Sequence, residues 1–195
     1  MEGSEYQVRS FVAVWPPPEL LERITDTVRR WMRRIGTTGV KWVSPQNLHL
    51  TLEFLGNVRA STLDDLRARL RSACGSFGAF EVEIAGAGCF PDPARPKVLW
   101  LGMRGEVERM RVLQRTAGDA CKGFGEPRDG KPFSPHVTIA RFDWLSREQI
   151  GHVRRIASDA SESELGAWSV DAVTLMRSDL GSGGSRYTVL EKVLL

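Results

Sequence analysis

The chain has 195 residues, of which 42% are hydrophobic and 26% are charged, and its formal net charge is +3. This composition is ordinary for a folded domain, and the length allows one substantial core or two small lobes that share one. No apolar run reaches the length of a membrane span, and three cysteines without CxxC spacing indicate neither a disulfide framework nor a zinc site.

The mild positive charge suits a polyanionic ligand without requiring one. The first five residues are polar, and no apolar stretch of signal-peptide length follows them. Together with the cysteine count, this predicts a reducing, cytoplasmic setting and no membrane association. A monomer is the default expectation.

The first half of the chain predicts a strand, a helix, a strand, a helix and a strand. These elements are a strand at Phe11–Trp15, a helix with the apolar stripe Leu21, Ile24, Val28, Trp31 and Ile35, a strand at His49–Phe54, a helix with the stripe Leu63, Leu66, Leu70 and Ala73, and a strand at Phe80–Ala85. The prolines after Trp15 suit the first turn of a helix, and Ser61 with Asp64 resembles a helix cap.

The second half predicts the same order again. Its elements are a strand at Val98–Leu101, a helix with the stripe Val107, Met110, Leu113, Ala117 and Cys121, a strand at His136–Arg141, a helix with the stripe Ile150, Val153 and Ile156, and a strand at Ser169–Met176. Ser146 with Gln149 fits a capping box. A glycine-rich turn at 181–185 then leads into a last strand at Tyr187–Leu195.

Corresponding features of the two halves lie 85 to 88 residues apart, which predicts an internal repeat at about 9–87 and 97–177 within a single domain of residues 1–195. Two such halves facing each other form an α+β fold. It has two lobes of antiparallel sheet related by a pseudo-twofold axis, helices on the outside and a central groove.

The strongest signal is a repeated tetrapeptide, because His49-Leu50-Thr51-Leu52 returns as His136-Val137-Thr138-Ile139. Alternation along a strand places His and Thr of each copy on one face and the apolar residues on the other. Two such strands side by side bring two imidazoles and two hydroxyls into one cleft. Imidazole titrates near neutral pH, so one ring can act as a general base and the other as a general acid.

These residues resemble the two-histidine phosphoesterase superfamily, and most closely its RNA 2′,3′-cyclic phosphodiesterase branch, also called the LigT-like or 2′-5′ RNA ligase family. Both HxTx motifs are present. Flanking segments that share the resemblance are Arg9–Ala13, Pro17-Pro18-Glu19, Pro45–Leu48, Phe54-Leu55-Gly56, Phe90–Trp100 and Arg141. The likeness extends from about Arg9 to Leu195, and the one small departure is Val12, where the family often has an aromatic residue.

The resemblance implies hydrolysis of RNA 2′,3′-cyclic phosphate ends to 2′-phosphomonoesters, with His49 as the proton donor and His136 as the proton acceptor. Acid–base catalysis by two histidines needs no metal and no cofactor, and microscopic reversibility allows a minor reverse activity that joins RNA through 2′-5′ bonds. The chemistry of the two motifs does not by itself assign the acid and the base, because the motifs are nearly equivalent. Thr51 and Thr138 are expected to bind the non-bridging phosphate oxygens.

Arg141 is the candidate cation for the phosphate, and the resemblance places an arginine there. Strict strand alternation instead puts Arg141 on the face opposite His136, unless a bulge intervenes. Trp42 and Phe133 precede the two motifs and are candidates for base stacking as well as for simple packing. His152 is expected to be a solvated helix residue, and the three cysteines are expected to be buried.

Two other functions remain open. The same mechanism could act on small cyclic nucleotides or 2′-5′ linked oligonucleotides, because the sequence does not reveal the length of the groove. The chain could also be a non-catalytic RNA-binding module. Binding alone needs cations rather than two titrating imidazoles, which favours the enzyme.

Overall fold

The computed structural model describes residues 6–126, 130, 132–159, 164–181 and 184–195. Within these ranges it contains nine strands and four α-helices. The strands are β1 (Gln7–Val14), β2 (Val40–Trp42), β3 (Leu50–Arg59), β4 (Phe80–Phe90), β5 (Val98–Gly105), β6 (Val137–Phe142), β7 (Gly166–Val170), β8 (Ala172–Gly181) and β9 (Gly184–Leu194). The helices are α1 (Pro18–Ile35), α2 (Leu63–Cys74), α3 (Val107–Ala120) and α4 (Arg147–Ser158).

The strands form two antiparallel sheets. The first sheet has the order β3-β1-β8-β9, and the second has the order β2-β6-β5-β4-β7. Helices α2 and α3 contact each other and pack on β9 and β3 of the first sheet, while α1 and α4 contact each other and pack on β7 and β4 of the second. The predicted two-lobed α+β architecture is therefore confirmed.

Helix boundaries follow from local chemistry. Helix α1 begins at Pro18, as the prolines predict, and buries Ile24 and Trp31 completely. Ser146 and Gln149 form the predicted capping box of α4, with both reciprocal hydrogen bonds present. The predicted cap at Ser61 is wrong, because Ser61 lies in a short 3₁₀ turn and α2 starts after Thr62 without a side-chain cap.

The two halves of the sequence do not correspond to the two sheets. Strand β4 belongs to the first half but lies inside the second sheet, and β8 belongs to the second half but lies inside the first. The prediction of one strand at Ser169–Met176 is wrong, since the chain leaves the second sheet at Asp171 and enters the first at Ala172. Sequence periodicity carries no information about which sheet a strand joins.

One face of the first sheet packs into the main core and the other face lines a groove. Val12 and Leu50 belong to the main core, whereas Phe11, Ala13 and Met176 form a separate buried cluster on the groove face. Strands β8 and β9 pair antiparallel up to Gly181 and Gly184, on either side of the predicted turn, and residues 182 and 183 lie outside the described residues. None of the four described helices is long and apolar enough to cross a membrane.

Candidate active site

His49 directly precedes β3, and both of its ring nitrogens have a hydrogen-bond partner. Its Nδ1–H donates a hydrogen bond to the carbonyl oxygen of Asn47 at 2.7 Å, because a carbonyl can only accept. The other ring nitrogen, Nε2, lies 3.0 Å from Oγ1 of Thr51. In the neutral ring Nε2 therefore accepts from the threonine hydroxyl, and it remains the nitrogen that can exchange a proton with a substrate.

His136 repeats this arrangement just before β6. Its Nδ1–H donates to the carbonyl oxygen of Ser134 at 2.6 Å, again two residues upstream of the histidine. Strand β3 at the edge of the first sheet contacts β6 of the second, and the charge of His136 acts on His49. The two predicted histidines thus lie near each other, and each uses Nδ1–H to bond the carbonyl two residues upstream.

A β-bulge follows each motif. Thr51 pairs with Ala13 while Glu53 pairs with Val12, so Leu52 is the extra residue of the first strand. Thr138 pairs with Trp100 while Ala140 pairs with Leu99, so Ile139 is the extra residue of the second. An extra residue reverses the alternation beyond it, so the third residue after each threonine shares that threonine's face.

The second bulge decides the position of Arg141. Arg141 pairs with Val98, which lies two residues from Trp100 and therefore on the same face as Thr138. Its positive charge acts on both imidazoles. The expectation from strict alternation is wrong, and Arg141 lies on the groove side. The corresponding residue of the first motif is Phe54, which is 64% exposed.

Aromatic rings enclose both histidines and lower their basicity. The ring of His49 lies 5.0 Å from the rings of Phe11 and Trp15 and 5.5 Å from that of Tyr187. This burial, reinforced by the charges of His136 and Arg141, lowers the pKa of His49 to about 4 although the Asn47 carbonyl opposes the shift.

The pKa of His136 is also lowered. Burial is the main cause, the charge of Arg141 adds to it, and the hydrogen bond to Ser134 opposes it. The ring of His136 lies 5.0 Å from that of Phe90 and 6.3 Å from that of Trp100. Because two imidazoles and a guanidinium face each other, the site disfavours added positive charge and is suited to an anion.

Comparisons with known proteins decide the family. A sequence model of the 2′-5′ RNA ligase superfamily matches residues 14–182. The chain belongs to this superfamily. It is 33% identical over 193 residues to an RNA 2′,3′-cyclic phosphodiesterase of Aquifex aeolicus, covering 96% of this chain and 97% of that protein. It is also 33% identical over 190 residues to one of Methanothermobacter thermautotrophicus, covering 95% and 97%.

Solved structures of similar proteins agree with this membership of the 2′-5′ RNA ligase superfamily. A crystal structure of a Thermus thermophilus protein matches with a TM-score of 0.74 at 30% identity, covering 96% of this chain and 97% of that one. Escherichia coli LigT in complex with 3′-AMP matches with a TM-score of 0.71 at 26% identity, covering 97% and 99%. The predicted resemblance to the LigT-like branch is confirmed.

Some residues predicted as candidates in this superfamily member make contacts other than those around the two histidines. Trp42 and Phe133 pack against the main core, and the indole Nε1 of Trp42 donates to the carbonyl of Gly36. Base stacking on these two rings is therefore not supported. His152 lies on α4, where its Nδ1 is 2.8 Å from Nη2 of Arg155. The three cysteines are buried and form no disulfide, as predicted.

The aromatic residues around the histidines escaped the sequence analysis. Trp15 and Tyr187 come from opposite ends of the chain, and Phe90 and Trp100 flank the segment noted only for its family likeness. One signal was available in β1, where Phe11, Ala13 and Trp15 alternate towards one face. Tyr187 offered no comparable signal, because its place beside β1 depends on the order of strands in the sheet.

A cavity of about 540 Å³ opens beside His49, and Trp15, Asn47 and Tyr187 form its near wall. Neither His136 nor any residue that contacts its ring lines this cavity. Among the described residues, no group of three or more His, Cys, Asp or Glu side chains is arranged to hold a metal ion.

Proposed function

We propose that this chain hydrolyses the 2′,3′-cyclic phosphodiester at the end of an RNA and leaves a 2′-phosphomonoester. The observation that carries the proposal is the matched pair of imidazoles, His49 and His136. Each has Nδ1–H bonded to a backbone carbonyl, so Nε2 is the ring nitrogen that can exchange a proton with a substrate. The names of the curated relatives support the same reaction.

His136 is suited to the role of base. Its lowered pKa keeps the ring neutral at neutral pH, so the Nε2 lone pair is available to take a proton from the attacking water. The hydrogen bond from Nδ1–H to the Ser134 carbonyl then stabilises the imidazolium that forms. The same bond fixes the tautomer and the orientation of the ring.

His49 is suited to the role of acid once an anionic phosphate is bound. In the free protein the ring is neutral at neutral pH, because burial, reinforced by the charges of His136 and Arg141, lowers the pKa of His49 to about 4. A phosphodiester carries a negative charge, which favours a proton on one ring of the pair. That proton can pass from Nε2 of His49 to the leaving ribose oxygen as the phosphorus–oxygen bond breaks.

The charge on the non-bridging oxygens requires donors and a cation. The hydroxyls of Thr51 and Thr138 lie on the groove faces of the two strands, and the bulge brings Arg141 to the same side. The two hydroxyls can donate hydrogen bonds and the guanidinium can balance the charge. Because histidines transfer the protons and Arg141 supplies the positive charge, the proposed reaction requires no metal ion.

The asymmetry of the cleft supports the assignment of the two roles. Space for a nucleoside opens beside His49, so the leaving ribose oxygen belongs on that side. Water then attacks from the His136 side, in line with the departing oxygen. If the 5′-hydroxyl of a second RNA takes the place of water, the same steps form a 2′-5′ phosphodiester, which is the proposed minor reverse activity.

The test is incubation of the purified protein, in EDTA, with a short RNA that ends in a 2′,3′-cyclic phosphate. We expect a 2′-phosphate product from the wild type and a loss of about 10²–10⁴ in kcat for His49→Ala and for His136→Ala. His152→Ala is the control, because it removes a histidine outside the cleft. Unimpaired binding by the double His→Ala variant, with no hydrolysis by the wild type, would instead favour a non-catalytic RNA-binding module.

The pH dependence provides a second test. The free-protein pKa of His49 near 4 means that kcat/KM should decline as the pH rises above the range where His49 is protonated. Bound phosphate raises this pKa, so the alkaline limb of kcat should lie at a higher pH than that of kcat/KM. Coincident limbs would contradict the role given to the phosphate charge.

A further inference from the structure

The cavity beside His49 has a floor formed by two neighbouring strands. Met176 of β8 and Val189 of β9 form a cross-strand pair on this face, and Val189 is 59% exposed. Thr174 and Lys192 form the next pair of pocket-lining residues along the strands. The floor is therefore apolar near the centre and carries an exposed cation towards one end.

Three residues that line the cavity also contact His49. The rings of Trp15 and Tyr187 touch both the cavity and the imidazole. Asn47 connects His49 to the cavity through two hydrogen bonds. Its carbonyl oxygen accepts from Nδ1–H of His49, and its Nδ2 donates to the carbonyl of Ser185 in β9 at 2.7 Å. His49 does not itself line the cavity, but these three residues place the cavity next to the proposed acid.

The position of Lys192 limits which ligands can reach it from the reacting centre. Thr51 pairs with Ala13, Ala13 with Thr174 and Thr174 with Lys192, so Lys192 lies three strand spacings from Thr51, about 14 Å at about 4.8 Å per spacing. The only phosphate of a mononucleoside 2′,3′-cyclic phosphate is the reacting one, which belongs between the two threonines. A second phosphate, on the 5′ side of the terminal nucleoside, is needed to engage a cation at that distance.

The other lining groups match the remaining parts of a nucleotide. Met176 and Val189 offer an apolar surface for the face of a base, with Tyr187 beside them. The amide of Gln46 and the carboxylate of Asp171 can pair with polar groups on a base edge, although Asp171 would repel a phosphate placed against it. Arg186 also lines the cavity, but it alternates with Tyr187 along β9 and therefore points to the other face of the sheet, so the phosphate is assigned to Lys192.

We propose that this cavity binds the nucleotide that precedes the one carrying the cyclic phosphate. The preferred substrate is then an oligoribonucleotide end and not a single nucleotide. This inference rests on the proposed function, because it takes the cyclic phosphate to lie between the two histidines.

The test compares kcat/KM for adenosine 2′,3′-cyclic phosphate with kcat/KM for an adenylyl dinucleotide that ends in the same group. The ratio of dinucleotide to mononucleotide should be about ten or more for the wild type and should fall about tenfold in Lys192→Glu. Dinucleotide turnover by the wild type should also decline more steeply with added salt than in this variant.

Lys122→Glu is the matched control. Lys122 follows α3 on the outer helical layer and is 73% exposed in its side chain, so the variant makes the same change in net charge away from the cleft. Its ratio and salt dependence should equal those of the wild type. Circular dichroism and thermal unfolding establish that both variants, which alter exposed side chains, remain folded.

Equal kcat/KM for the two substrates, or an equal fall of the ratio in both variants, would overturn the inference and leave the proposed function in place. Absence of hydrolysis of either substrate by the wild type would overturn both. A fall of the ratio confined to Lys192→Glu is the result that establishes the second nucleotide site.

Discussion

The two histidines occupy equivalent places in similar motifs, yet their surroundings differ. Three aromatic rings enclose His49, and its Nε2 already meets the Thr51 hydroxyl. Two rings lie beside His136. Both pKa values are lowered, and the pKa of His49 reaches about 4. The repeat therefore supplies a matched pair of imidazoles, and unlike neighbours distinguish their chemistry.

The two sheets also differ in the residue that pairs with the motif threonine. Ala13 in β1 and Trp100 in β5 lie 87 residues apart, the spacing of the repeat, and each pairs with the motif threonine of its sheet. The indole of Trp100 covers Gly88, where an added Cβ would clash with the ring. A bulky ring thus occupies this position in the second sheet, whereas the small side chain of Ala13 in the first is buried beside Phe11 and Met176.

The largest expected effect distinguishes the acid from the base. With a cyclic RNA end, His49→Ala and His136→Ala should each lose about 10²–10⁴ in kcat. With a 4-nitrophenyl phosphodiester, whose leaving group needs no proton, His49→Ala should regain most of its activity and His136→Ala should not. Equal recovery of the two variants would contradict the assignment.

The next effect concerns the cation that both histidines share. Arg141→Ala should lower kcat/KM by about 10²-fold, because an electrostatic donor to the phosphate is lost. It should also raise the pKa of both imidazoles, since their repulsion by the guanidinium disappears. NMR titration of the two rings reports this change, and Arg154→Ala on α4 is the control. Unshifted pKa values would place Arg141 outside the site.

Stability should depend on pH through His49. Its pKa is about 4 in the folded protein and about 6.5 when exposed, so the unfolded chain binds the proton more tightly. The contribution of His49 to the free energy of unfolding is therefore complete above pH 6.5, and it is lost as the pH falls towards 4. Between pH 7 and pH 4, the wild type should lose up to about 3 kcal/mol more than His49→Gln.

Urea unfolding at the two pH values measures this difference, and a His152→Gln variant controls for the loss of a histidine outside the cleft. An equal loss in the wild type and His49→Gln would show that His49 is not enclosed as the structure describes.

The smallest effect tests the link between β9 and His49. Asn47→Ala keeps the carbonyl that holds the imidazole but removes the hydrogen bond to Ser185. We expect kcat to fall about threefold to tenfold, in line with the roughly 1 kcal/mol of a net hydrogen bond. Steady-state kinetics should give an unaltered KM for a mononucleotide. Product analysis should still find the 2′-phosphate.

Local patterns predicted much of the fold. The apolar stripe of α1 and the capping box of Ser146 with Gln149 depend on neighbours within one or two turns, and both are observed. The pairing of His with Thr in each motif likewise follows from alternation over three residues. These features need no knowledge of the rest of the chain.

The features that sequence patterns did not predict depend on distant residues. The position of Arg141 depends on the bulge at Ile139, which exists only in the register between β5 and β6. The enclosure of His49 requires Tyr187, which is 138 residues away along the chain. The exchange of β4 and β8 between sheets is a choice among strand orders with the same hydrophobic pattern.

This exchange has a consequence for how the protein forms. Each sheet has an inner strand from the opposite half of the chain, so neither half can complete a sheet before the other is synthesised. Contacts between distant residues must therefore precede a stable core, which slows folding compared with a chain of two self-contained halves. A fragment ending near residue 87 would leave strand edges unpaired and should aggregate instead of folding.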